Sequence, residues 1–134
     1  MRWNRPFGIA APLLLLLGNL ALDGCARSSA ALDDITFSCQ SEPVAPHLGA
    51  NTFTATLAGK AGERLTGAHI TLEGDMTHPG MSPVFGEAKE IAPGRYQGAL
   101  DLTMRGDWTI WFHITLTNGR TFDRQLKIRN LRAD

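Results

Sequence analysis

An antiparallel all-β sandwich is the fold class this sequence predicts, and three observations predict it. Short runs alternate apolar and polar residues with a period of two. Gly, Pro and Asn clusters punctuate these runs at regular spacing. Beyond residue 34 no stretch keeps a helical period.

Taken in order, Ile35 to Gln40 reads as a short first strand. Asn51 to Ala58 alternates cleanly, with Phe53, Ala55 and Leu57 facing inward. Gly59 to Gly67 is a polar turn. Ala68 to Glu73 alternates again, with Ile70 and Leu72 inward. Val84 to Ile91 is a weaker strand, expected at a sheet edge where Glu87, Lys89 and Glu90 would blunt pairing with other chains. Ala92-Pro93-Gly94 turns the chain into Arg95 to Leu102, which carries Tyr96, Gly98, Leu100 and Leu102 on one face. Trp108 to Thr117 is the strongest strand, with Trp108, Ile110, Phe112, Ile114 and Leu116 on its apolar side.

Asn118-Gly119 follows, a strong hairpin signal. A two-residue Asn-Gly loop would set Ile114 opposite Asp123 and bury an acid, because opposed residues share a face. A three-residue loop, Thr117-Asn118-Gly119, pairs Ile114 with Phe122 and Ile110 with Leu126. The sequence therefore predicts the longer turn, with Gly119 left-handed. This register also sets Arg124 opposite Phe112, accounted for here only by snorkelling at the sheet margin. Seven short strands in this arrangement predict an immunoglobulin-like sandwich, although the Cys–Trp–Cys spacing of antibody domains is missing.

The chain of 134 residues opens on a positive segment, Met1-Arg2-Trp3-Asn4-Arg5, followed by an apolar run centred on Leu13 to Leu17. Residues 1–24 read as a secretory signal, too short for a membrane span. The segment ends Leu22-Asp23-Gly24-Cys25, which resembles a bacterial lipobox and implies lipidation of Cys25. Asp23 stands where that pattern carries a small uncharged residue. Cleavage after Ala26 is the alternative, giving a soluble periplasmic protein. Residues 25–34 read as a tether and 35–134 as one domain. Acids and bases balance, so nothing points to nucleic acid. Cys39 is the only other cysteine. It is read as a small buried hydrophobe, or as the partner of an unmodified Cys25 in a disulfide.

The segment Gly74 to Pro83 carries what chemistry the sequence shows. Pro79, Gly80 and Pro83 make it a loop. It places Met76, His78 and Met81 together. Thioether and imidazole are soft donors that suit copper, Cu(I) above all. Strand direction adds two more candidates. Counting strands alternately brings Met104 and His47 to the same end of the sandwich as the loop. All three methionines beyond Met1 then meet there from two connections. Core packing is the competing reading for Met76 and Met104, since both continue an inward parity. His69 and His113 are assigned surface positions and no chemistry.

Gly49-Ala50-Asn51-Thr52-Phe53, Gly67 to Leu72 leading into the Met/His loop, Gly94-Arg95-Tyr96 and Met104 to Trp108 together resemble the YtkA-like domain of exported bacterial proteins. The resemblance runs from about Gly49 to Ile128. It implies an immunoglobulin-like sandwich and a link to copper handling or respiratory oxidase assembly. The loop is also similar in chemistry, though not in spacing, to Met/His motifs of periplasmic copper chaperones.

The function expected is a copper-binding module on the periplasmic side of a bacterial membrane, anchored through lipidated Cys25. The ligand set expected is Met76, His78 and Met81, completed by Met104 or His47. The alternative is a non-metal module contacting a protein of an envelope complex, with Trp111 and His113 as the surface patch. No enzyme is expected, because neither a Gly-x-Ser-x-Gly elbow nor a Cys/His or paired-carboxylate constellation can be placed.

Overall fold

A computed structural model describes residues 34–133. The suspected signal segment, Cys25 and nearly all of the tether lie outside these residues. Seven strands follow one another: β1 (Ile35–Glu42), β2 (Gly49–Gly59), β3 (His69–Met76), β4 (Val84–Ala92), β5 (Arg95–Leu102), β6 (Gly106–Thr115) and β7 (Thr121–Leu131). All pairings are antiparallel, in the order β1-β2-β5-β4-β3-β6-β7. The architecture is the all-β, immunoglobulin-like sandwich that the alternation predicts.

The inward residues of the two layers meet in one core. Phe53, Ala55 and Leu57 of β2 and Tyr96, Leu100 and Leu102 of β5 come from one side. Ile70 and Leu72 of β3 and Trp108, Ile110, Phe112 and Ile114 of β6 come from the other. These are the positions that period-two alternation marks. The β6–β7 hairpin has the predicted longer turn: Ile114 faces Phe122 and Ile110 faces Leu126. Gly119 is left-handed at φ +84°. Arg124 does face Phe112, and its guanidinium lies over the Phe122 ring, 4.9 Å from the centroid. A cation–π contact is therefore what holds this charge against the core margin.

The edge position expected for Val84 to Ile91 is wrong. β4 lies mid-order and joins the two layers: residues 84–88 pair with β3, and Lys89 to Ala92 pair with β5 across a bulge. The edges are β1 and β7. Glu87 and Lys89 mark the outward face of β4, not an edge, while Glu90 stands opposite Tyr96 at the bulge. Two glycines make the change of partner sterically feasible. A side chain at Gly86 would strike the carbonyl oxygen of Ala99, and one at Gly98 would come within 2.8 Å of both the Glu87 carbonyl oxygen and Leu72 Cδ1. A strand glycine is what such a close backbone approach requires.

Bonds to the main chain pin the connection after β2. The Tyr96 hydroxyl donates to the Leu65 carbonyl at 2.7 Å and accepts from the Ala68 N–H at 3.0 Å. Glu90 accepts from the Gly67 N–H at 2.7 Å. At the same end Arg120, just before β7, reaches Asp34 beside β1, with both amino groups at 3.1 Å. That pair ties the two edge strands together.

Replacing Gly98 by valine should cost about 1–3 kcal/mol through overpacking and lower the midpoint of urea unfolding. An unchanged midpoint would contradict the close approach of β4 and β5.

Candidate functional site

Three connections converge at one end of the sandwich. Gly49 pairs with Leu102, Gly74 with Val84, and Met76 with Trp108. The 42–49, 76–84 and 102–106 connections therefore share that end. They carry His47, then His78 and Met81, then Met104, while Met76 closes β3.

The five differ in exposure. Met76 is 9% exposed and belongs to the core. Its methyl lies where a side chain at Gly106 would sit, 2.9 Å from the position of a Cβ. Met81 is half-buried against the core, Met104 is 40% exposed, and His78 is exposed. His47 is half-buried, and its Nδ1 is buried with no hydrogen-bond partner among the described residues.

Each connection is held through its main chain. Asn51, only 1% exposed, accepts from the His47 N–H at 3.0 Å. Its amide donates to the His47 and Gly49 carbonyls at 2.7 and 2.8 Å. The Trp108 indole donates to the Met104 carbonyl at 2.9 Å. Within the loop, the Met81 N–H reaches the His78 carbonyl at 3.4 Å, and Gly80 takes a left-handed φ of +85°. His78 Nδ1 lies 3.1 Å from the Pro79 carbonyl. A carbonyl only accepts, so this contact favours the Nδ1–H tautomer and leaves the lone pair on Nε2.

A cavity of about 140 Å³ opens beside Thr77, lined also by Asp107, Thr109, Lys127 and Arg129. None of the five sequence candidates lines it. Among the described residues no three His, Cys, Asp or Glu side chains form a cation site. A metal at this end would therefore rely on thioethers. Cys39 on β1 has no disulfide partner among the described residues, and burial pushes its thiol up to about 12; the alternative pairing with Cys25 falls on a residue outside them. In the metal-free protein the Cys39 thiol is a protonated, half-buried group.

Sequence reasoning missed one cluster. On the outer face of β6, His113 Nδ1 lies 2.8 Å from Asp123 Oδ1, and its Nε2 lies 2.7 Å from Glu73 Oε2. With a carboxylate at each nitrogen, the ring is held as a double donor. Hydrogen bonds to Asp123 and Glu73, in that order, raise its pKa above 6.5 against the opposing effect of burial. Half of this trio was legible, because the register that pairs Ile114 with Phe122 also sets His113 opposite Asp123. Glu73 was not, since β3–β6 pairing joins strands far apart in the chain.

The fold defines an immunoglobulin-like β domain with a Met- and His-bearing tip. The YtkA-like family model matches residues 29–113, more than half of the 134-residue chain, and the protein belongs to that family. The match takes in β1, which the sequence resemblance left out, and stops before β7. A search of curated proteins returns no match.

Asn51→Ala should destabilise the fold by about 1–3 kcal/mol, because buried main-chain groups lose their partner. Hydrogen exchange should rise selectively in the 42–49 connection. A separate expectation concerns pH. The folded His113 ring binds its proton more tightly than the unfolded ring, so its stabilisation is complete below 6.5 and is lost as pH rises through the raised value. The stability gap between wild type and His113→Gln, read by urea unfolding, should be wide at about pH 6 and shrink toward about pH 9. A gap independent of pH would contradict the charged trio.

Proposed function

We propose that the protein is a copper-binding module that takes up and releases Cu(I) at the tip formed by the three connections. The buried, unpartnered Nδ1 of His47 at that tip is the observation that carries this reading. A buried imidazole nitrogen without a partner is costly unless something meets it, and a soft cation would. The donor set fits: Met81 and Met104 offer accessible thioethers, His78 offers Nε2, and Met76 forms the floor. Neutral soft donors favour Cu(I) over hard divalent ions. Their partial exposure suits a metal that must be passed on, where a structural site would be closed.

In this reading the protein is not an enzyme. It is exported and held at the periplasmic face of a membrane through lipidated Cys25. It would deliver copper toward an envelope assembly such as a respiratory oxidase.

Titration with Cu(I) against a competing chelator tests the proposal. Wild type should hold one equivalent, and a protein with His78 and Met81 both replaced by alanine should bind at least about tenfold more weakly. His47→Ala should also weaken binding without unfolding the tip, since Asn51 grips that residue by its main chain alone. Cys39→Ala should leave the affinity unchanged. Equal affinity in wild type and the double variant would end the copper reading.

A further inference from the structure

The outer face of β4-β3-β6-β7 holds a second concentration of chemistry, away from the tip. Cross-strand register places Phe85, Glu73, Trp111 and Gln125 in one row. The next row is Glu87, Thr71, His113 and Asp123. Phe85 is 66% exposed and Trp111 half-buried, so two aromatic rings flank the Glu73 carboxylate on a surface turned from the core.

The centre of this face is acidic in a protein whose net charge is zero. Glu73 and Asp123 each give one oxygen to His113, and each carries a second that no hydrogen bond to His113 uses. Even with His113 charged, the trio keeps one net negative charge, Asp75 adds to it, and Glu87 lies 3.7 Å from the His69 ring. The lysines and arginines of the face flank this acidic row and do not enter it. Lys127 stands one row from Trp111, opposite Thr109 and in line with Asp75, Arg129 is held 3.5 Å from Asp107, and Lys89 sits where β4 has left β3 for β5.

We propose that this face docks an arginine-bearing segment of a partner protein, with the guanidinium over Trp111 and hydrogen-bonded to Glu73. Charge complementarity selects a cationic partner and turns away phosphate-rich surfaces. The flat ring beside a carboxylate selects arginine over lysine, because a planar guanidinium can stack and donate a fork of N–H groups together. His113 is a positioning residue here: it fixes the two carboxylates before a partner arrives. Trp111 lies three residues along β6 from Trp108, a strand rise of about 10 Å, so occupation of this face leaves the tip open.

The test titrates an extended Arg-Thr repeat peptide into the ¹⁵N-labelled full chain, beside matched lysine and citrulline peptides. The Trp111 indole N–H and the amides of Phe85, Glu73 and Gln125 should shift, while those of β1 and β2 should not. The arginine peptide should bind about tenfold tighter than the citrulline one, the scale of one cation–π contact plus one ion pair. Glu73→Gln and Trp111→Ala should each weaken binding several-fold. Asp101→Asn, an exposed carboxylate on β5, should not. Failure to bind, shifts spread equally over Asp101 and Glu42, or indifference to Glu73→Gln would overturn the docking face. A lysine peptide that binds as tightly as the arginine one would overturn the guanidinium assignment.

Discussion

The close approach of β4 and β5 at Gly86 and Gly98 is the constraint on which the rest of this structure depends. It allows β4 to begin as a neighbour of β3 and end as a neighbour of β5. That exchange turns a run of seven strands into two facing layers around one core. Which connections share an end is set separately, by the antiparallel alternation of successive strands. With β3 running toward the tip, β4 must leave it and β5 must return, so the loops bearing His78 and Met104 arrive together. The chemistry at the tip is thus a consequence of strand direction, and the partner change sets only the layer from which each loop comes.

Much of this was readable from the residues, and what was readable had a local cause. Alternation marks Phe53, Ala55 and Leu57, and Ile70 and Leu72, because each strand buries one face and the pleat has a period of two. The turn at Thr117-Asn118-Gly119 was readable because the shorter alternative would bury an acid. What escaped had a distant cause. β4 looked like an edge because charges on an outward face and charges on an edge read alike in a single strand. Only the carbonyl oxygen of Ala99 pressed against Gly86, from a strand not yet placed, tells them apart.

Burial at the tip escaped for the same reason. Parity put both Met76 and Met104 on the inward side, yet Met76 is 9% exposed and Met104 40%. Met76 ends a strand that lies across from Trp108. Met104 sits in a turn already past the edge of the core, where an inward direction meets solvent. Asn51 was read only as the start of a strand. Its role follows from the loop that folds back over it, where one amide satisfies an N–H and two carbonyls.

The histidines show how the same side chain is assigned to different tasks by its surroundings. His113 has a carboxylate at each nitrogen, so a charged ring has no lone pair left to offer a metal. Its work is electrostatic, and it orders the acids of an outer face. His47 is held by its peptide groups instead, and its Nδ1 has no partner among the described residues. His78 engages one nitrogen with the adjacent carbonyl of Pro79 and keeps the other. Main-chain fastening by Asn51 and Trp108 therefore separates position from function at the tip: the connections are fixed, while imidazole and thioether groups carry no structural hydrogen bond that binding would have to break. On His113, by contrast, metal binding would first have to displace a carboxylate and a proton.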